Sequence, residues 1–307
     1  MTGLSIVNAA DVSPAWAYPV NPPDFKPVPD DGSIRRVPDS SAGFTLSQVR
    51  DLFAAPDWHP DAHPQMPSVV ARGIKPEVFA CGSCHRAEGT GGPENASLAG
   101  LPAAYIIAQL ADYKSGARST AVAGRAPQAL MIRSAKAVSD EEAREAALYF
   151  AGLTPKSNIT IVESDVVPKT FVANWFLAAA IPPAQEPLGQ RIIEVSDDLD
   201  RFESRDTRVT FTAHVPPGSL ARGRVLVTGR DPGKTSACAA CHGNDLRGVD
   251  AIPSIAGRSP SYVFRQLQEF QSGMRAGPGA GLMKDNVAKL EQADMIAIAA
   301  YLGSLKP

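Results

Sequence analysis

The sequence predicts a mainly α protein: two copies of one helical domain, a proline-rich arm before them and a small β-rich insert between them. Three observations carry this. The strings Cys81-Gly82-Ser83-Cys84-His85 and Cys238-Ala239-Ala240-Cys241-His242 use every cysteine in the 307-residue chain. Their register continues at an offset of 157 residues, pairing Leu98-Ala99-Gly100 with Ile255-Ala256-Gly257, Tyr105 with Tyr262, Gln109-Leu110 with Gln266-Leu267, Tyr113 with Phe270, Ser115-Gly116 with Ser272-Gly273 and Arg118 with Arg275. A second block aligns at an offset of 152, pairing Leu130-Met131 with Leu282-Met283, Tyr149 with Tyr301 and Leu153 with Leu305. A repeat this long is domain duplication, not a short-period solenoid. The expected divisions are an arm over 1–63, a first repeat over 64–153, an insert over 154–218 and a second repeat over 219–307.

The arm carries Pro14, Pro19, Pro22, Pro23, Pro27 and Pro29, which forbid a long helix or a central strand. It is expected to lie extended, with Trp16, Tyr18 and Phe25 as anchors, and to form one short helix over 45–53 with Thr45 and Gln48 as a capping box. Helices are expected before each cysteine motif, over 68–72 and 219–228. Residues 103–115 place Tyr105, Ile106, Gln109, Leu110 and Tyr113 at helical spacing with Gly116 as stop, and 261–272 repeat the pattern before Gly273. Ser139 and Glu142 form a capping box that opens a helix running to about Gly152, matched by 291–304 in the second copy. In the insert, 158–163, 170–178, 190–195 and 208–214 are rich in Val, Ile, Phe and Thr and read as strands.

Cys-x-x-Cys-His is the attachment pattern of c-type haem. The thiols of Cys81 and Cys84, and of Cys238 and Cys241, add to the vinyl groups of the ring, and His85 and His242 are placed as proximal iron ligands. A thioredoxin-like motif or a zinc site would also use paired cysteines, but neither needs a histidine directly after each second cysteine. The expected cofactors are two covalently bound haem c groups. The duplication selects the opposite ligand. Met274 aligns with Ala117 and Met295 with Ala143, so core packing is their expected role. Met131 and Met283 align with each other, 46 and 41 residues beyond their histidines, and are expected to close the sixth positions.

The net charge of −2 points to neither nucleic acid nor a strongly anionic surface as partner. The two repeats are mildly basic and the arm and insert acidic, which reads as ordinary solvated surface. No stretch has the length and apolarity of a transmembrane helix. Residues 1–10 lack a positive n-region, so they are not a complete signal peptide, although 4–10 read as the tail of one. Haem attachment of this type is expected outside the cytoplasm, in the periplasm. His59 and His63 are four apart, but Pro60 and Pro64 disfavour the helix that would align them, so a surface loop is expected. His214 is expected to pack in a strand.

The two attachment motifs, Leu98-Ala99-Gly100, Gln109-Leu110 with Gly116 and Arg118, Met131, the ending Tyr149-Phe150-Ala151-Gly152-Leu153 and their second-copy equivalents resemble the class I cytochrome c fold. The pairing resembles cytochrome c4-type dihaem proteins, over about 65–153 and 219–307. The resemblance implies helical haem pockets with one edge of each haem exposed. It also implies a backbone carbonyl on each proximal histidine, from Pro253 in the second copy and from Ala96 in the first, where a proline is usual. The function implied is outer-sphere electron transfer rather than catalysis. The expected donor is a dehydrogenase or quinol-oxidising complex, and the acceptor a terminal oxidase or small cytochrome. A dihaem peroxidase needs a labile sixth position, and a thiosulfate-oxidising dihaem site would use a cysteine on iron, for which no free cysteine remains. A fixed subunit of a dehydrogenase complex would share the carrier's chemistry and differ in its partner.

Overall fold

The computed structural model describes residues 13–307, so the segment 4–10 lies outside the described residues. The arm enters through turns closed by Ala17 N–H on the Pro14 carbonyl and Phe25 N–H on the Pro22 carbonyl, forms α1 (Leu46–Arg50), capped by the Thr45–Gln48 box, then makes a 3₁₀ turn at Pro60–Ala62. The first repeat follows as α2 (Ser68–Ala71), α3 (Cys81–His85), α4 (Ala103–Ser115), α5 (Ala126–Ala137) and α6 (Asp140–Ala151). The second repeat forms α8 (Ser219–Val227), α9 (Ala239–His242), α10 (Pro260–Gln271), α11 (Gly281–Val287) and α12 (Gln292–Ser304). Gly116 ends α4 at φ 83, where a side chain would be strained, and Gly273 stands at φ 77 just past α10. Ser139 and Glu142 satisfy the first turn of α6 reciprocally.

Each repeat has its own core. Val69, Val70, Ile106, Ala146, Ala147 and Phe150 fill the first. Phe264, Leu226, Val287, Ile296 and Ile298 fill the second, and Trp16 and Tyr18 of the arm join it. Trp16 lies 4.6 Å from Phe264 between ring centroids, and Arg265 Nη1 donates to the Ala17 carbonyl at 3.0 Å. Two of the three expected anchors are thus seated in the second repeat. Helices α8 and α12 cross at Gly223, where a Cβ would collide with the Ala297 carbonyl oxygen.

Between the repeats lie β1 (Ile159–Glu163), β2 (Val166–Pro168), β3 (Thr170–Ala173), β4 (Phe176–Ala179), β5 (Gln185–Pro187), β6 (Ile193–Ser196), α7 (Leu199–Glu203) and β7 (Phe211–Val215). The central sheet has the order β1-β7-β6, with β1 parallel and β6 antiparallel to β7. The stretch 170–178 is two strands rather than the single one expected. Asn174, at φ 58, turns β3 back on β4 with Thr170 opposite Ala179. Asn is among the few side chains that tolerate this conformation. His214 lies in β7.

Candidate haem sites

In α3 one turn of helix places Cys81 and Cys84 on one face and His85 at its end. The second motif does the same, with Cys238 capping α9 and His242 closing it. His85 Nδ1 lies 2.8 Å from the Ala96 carbonyl, and His242 Nδ1 lies 2.8 Å from the Pro253 carbonyl. Each carbonyl accepts from Nδ1–H, which fixes the ring and leaves Nε2 with the lone pair a metal needs. Both carbonyls are those expected, and Ala96 serves as well as proline because only its backbone is used. Burial holds both imidazoles below their usual range, against the carbonyl bond, and so favours the neutral, ligating form. Burial pushes the Cys81 thiol up to about 12 and the Cys238 thiol up to about 11.

A cavity of about 360 Å³ opens in the first repeat. Cys81, Cys84, His85 and Met131 all line it, so the thiols, the imidazole and the thioether expected to hold one haem share one space. Met131 is carried by α5 and Met283 by the equivalent α11. Cys238 and Met283 are half-buried against the core of the second repeat. Met295, by contrast, is buried within that core.

The charge in the surroundings suits the same group. Arg118, Arg125, Arg258, Arg265 and Arg275 are all buried where the repeats meet. Buried donors on Arg118 Nε, Arg125 Nε, Arg265 Nε and Arg258 Nε and Nη2 lack an acceptor among the described residues. Burial and the adjacent Arg265 pull the Arg125 guanidinium down to about 9, and burial pulls Arg258 down to about 10. Each haem c carries two carboxylates, and such anions would satisfy both the orphaned donors and the crowded positive charge. The residues present therefore fit haem. The aligned Arg118 and Arg275 were visible in the repeat. Arg258 and Arg265 fall on Leu101 and Ala108 of the first copy, so the duplication gives no sign of them.

The walls of the cavity reach beyond the first repeat. Asn174, Trp175, Phe176, Phe202, Glu203 and Arg205 of the insert also line it, as do Pro27 and Arg50 of the arm. The insert and the arm therefore supply part of the wall of the first repeat's cavity. His59 is also not in a surface loop. It is buried, with Nε2 2.9 Å from Asp206 Oδ1, while His63 Nε2 faces Asp57 Oδ1 at 3.2 Å. The two rings are held by different carboxylates, and no cluster of three or more His, Cys, Asp or Glu suited to a metal occurs among the described residues.

The cytochrome c family profile matches residues 74–154 and 222–306, both halves of the duplication. The chain belongs to the cytochrome c family. It carries two covalently bound haem c groups and is a dihaem, cytochrome c4-like electron-transfer protein. It is 31% identical over 144 residues to cytochrome c4 of Azotobacter vinelandii, covering 42% of this chain and 67% of that one. It is 26% identical over 232 residues to a thiosulfate dehydrogenase electron acceptor of Thiomonas intermedia, covering 75% of this chain and 80% of that one. A solved thiosulfate dehydrogenase from Marichromatium purpuratum shares the fold at a TM-score of 0.53 and 24% identity, over 85% of this chain and 40% of that one. No helix among the described residues is long and apolar enough to cross a membrane.

Proposed function

We propose that this cytochrome carries electrons in the periplasm, between a dehydrogenase or quinol-oxidising donor and a terminal oxidase or small cytochrome, through two haems each ligated by histidine and methionine. The observation that carries the reading is the shared cavity. His85, with Nδ1 tied to the Ala96 carbonyl at 2.8 Å, and Met131 both face it, and the duplication supplies His242 and Met283 as their equivalents. Haem supplies one-electron chemistry between ferric and ferrous iron. The protein's part is to keep the ligands still. A ring held by its carbonyl and a thioether on a packed helix change little on oxidation, which lowers the reorganisation that electron transfer must meet. With histidine and methionine both bound, the iron would have no position left for substrate, and the chain would pass electrons without making or breaking other bonds. Cys81, Cys84, Cys238 and Cys241 are the covalent anchors.

The relative from Thiomonas intermedia makes a thiosulfate dehydrogenase the first donor to test. The oxidised chain mixed with thiosulfate alone should stay oxidised. Addition of a catalytic amount of a thiosulfate dehydrogenase should then reduce both haems. Reduction by thiosulfate without the dehydrogenase would make the chain an enzyme and end this reading.

A further inference from the structure

The duplication gives each attachment loop an internal control, and the two loops have opposite surroundings. In the second repeat, residues 243–250 are mostly exposed and Cys241 is exposed. In the first repeat the equivalent run 86–93 is buried throughout. Residues 202–207 of the insert cover the start of the first run, and Arg265 of the second repeat covers its end by donating Nη2 to the Pro93 carbonyl. Arg205 Nη1 donates to the Ser83 carbonyl, between the two cysteines. Thr207 Oγ1 donates to Glu88, which also takes Lys156. Trp58 Nε1 of the arm donates to the Ser204 carbonyl at 2.7 Å and His59 bonds Asp206, so the arm backs the insert.

Arg86 is the centre of this contact. It directly follows the proximal histidine, with φ 66 and ψ 160, a region that strains any side chain. The second copy has Gly243 there, at φ 82 and ψ 157. The first copy carries an arginine in a glycine's conformation, and that side chain is only 2% exposed. Its Nη1 donates to the Asp206 carbonyl at 3.1 Å, and its guanidinium lies 5.2 Å from the Phe202 ring centroid and 5.8 Å from that of Phe211.

We infer that residues 202–207 are a fixed cap, latched by Arg86, that closes the first haem to other proteins and makes the second domain the port for electron exchange. This rests on the electron-carrier reading above. The first haem then exchanges electrons through the second. The second loop and α11 fit such a port. Val249 is 48% exposed, Ile252 38% and Leu282 73%. The exposed charges on these segments, Asp245, Arg247, Asp250, Lys284 and Asp285, together with Lys289 just beyond α11, balance in sign. The partner this surface suits is a small cytochrome with an apolar rim around its haem edge, held weakly and with little dependence on salt.

The test uses the full-length holoprotein and two variants. Arg86→Gly removes the latch and relieves its backbone. Val249→Asp with Leu282→Asp puts charge on the port at exposed positions that folding does not need. Electron exchange with a monohaem cytochrome c is followed by stopped flow, reduction of both haems by ascorbate serves as control, and amide hydrogen exchange reports on 82–93. The port variant should slow exchange with the cytochrome by about tenfold or more, because desolvating a charge disfavours the complex, and should leave ascorbate reduction unchanged. Arg86→Gly should raise amide exchange in 82–93 by about tenfold or more and add a second, faster route from the cytochrome. A port variant within about twofold of wild type, or an Arg86→Gly protein with unchanged amides and kinetics, would overturn the inference. Failure of the carrier reading would show separately, as a high-spin haem in the wild-type protein before any partner is added.

Discussion

Arg118 and Arg275, equivalent in the two repeats, exchange partners across the domain boundary. Arg118 donates to Gln109 Oε1 of its own repeat at 2.8 Å and to Gln266 Oε1 of the other at 2.7 Å. Arg275 donates to Gln266 Oε1 at 3.1 Å and to Gln109 Oε1 at 2.7 Å. Each also reaches a tyrosine of the opposite repeat, Tyr262 and Tyr105. Their backbones pair as an antiparallel bridge, with Ser119 N–H on the Met274 carbonyl and Ala276 N–H on the Ala117 carbonyl, both at 2.7 Å. The arrangement is a two-fold contact written by one duplicated sequence, and it holds the two haem domains in a single relation.

Cutting that contact should uncouple the domains. Arg118→Ala with Arg275→Ala together strip the side-chain oxygens of Gln109 and Gln266 of their arginine donors, at about 1–3 kcal/mol each. Calorimetry of the wild-type holoprotein should give one transition, and Arg118→Ala with Arg275→Ala should give two. A single transition at an unchanged temperature would show that other contacts set the domain relation.

The methionines should act separately. Met131→Ala and Met283→Ala should each open one haem, lower its potential and leave the other as it was. Optical redox titration of both variants checks this. An unaltered spectrum in either variant would remove that residue from the ligand set.

Glu194 of β6 joins the insert to the second repeat. It accepts from Ser259 Oγ–H at 2.8 Å and from the Ser261 N–H at 2.9 Å, and burial holds its carboxyl above the usual range despite those bonds. The folded state therefore binds this proton more tightly than the unfolded chain. Its contribution to stability is complete below the unfolded pKa and is lost as pH rises through the folded value. Glu194→Gln keeps a carbonyl acceptor and cannot ionise. Relative to wild type, its urea midpoint should rise as pH increases from the ordinary carboxylate range. A difference that is flat with pH would show that Glu194 does not titrate in this range.

Gly223 should resist substitution for a steric reason. A Val side chain there drives α8 away from the Ala297 carbonyl of α12, and overpacking of this kind costs about 1–3 kcal/mol. Thermal unfolding of Gly223→Val should show a lowered midpoint. A midpoint equal to wild type would mean that the helices separate freely.

What was legible in the chain was local or repeated. The Thr45–Gln48 and Ser139–Glu142 boxes, the end of α4 at Gly116 and the carbonyls over both histidines depend on residues within about a dozen positions, or on a pattern seen twice. The helices that carry Met131 and Met283 were not read as helices. Pro127 at the start of α5 and the short span of α11 weaken the periodic signal there. The break of β3 from β4 at Asn174 was hidden by a continuous run of strand-forming residues. The cap was invisible because its bonds join residues far apart in the chain, such as Arg86 to Asp206 and Arg205 to Ser83, and no spacing rule reaches that far. His59 was misplaced for the same reason, since its burial depends on Asp206.

The spin state of the ferric holoprotein tests the central claim most directly. Electron paramagnetic resonance with a far-red optical spectrum should show two low-spin haems, a weak sulfur-to-iron charge-transfer band and no high-spin signal, and the reduced protein should not bind carbon monoxide promptly. A high-spin signal amounting to one of the two haems, or prompt carbon monoxide binding, would contradict closure of both irons by histidine and methionine.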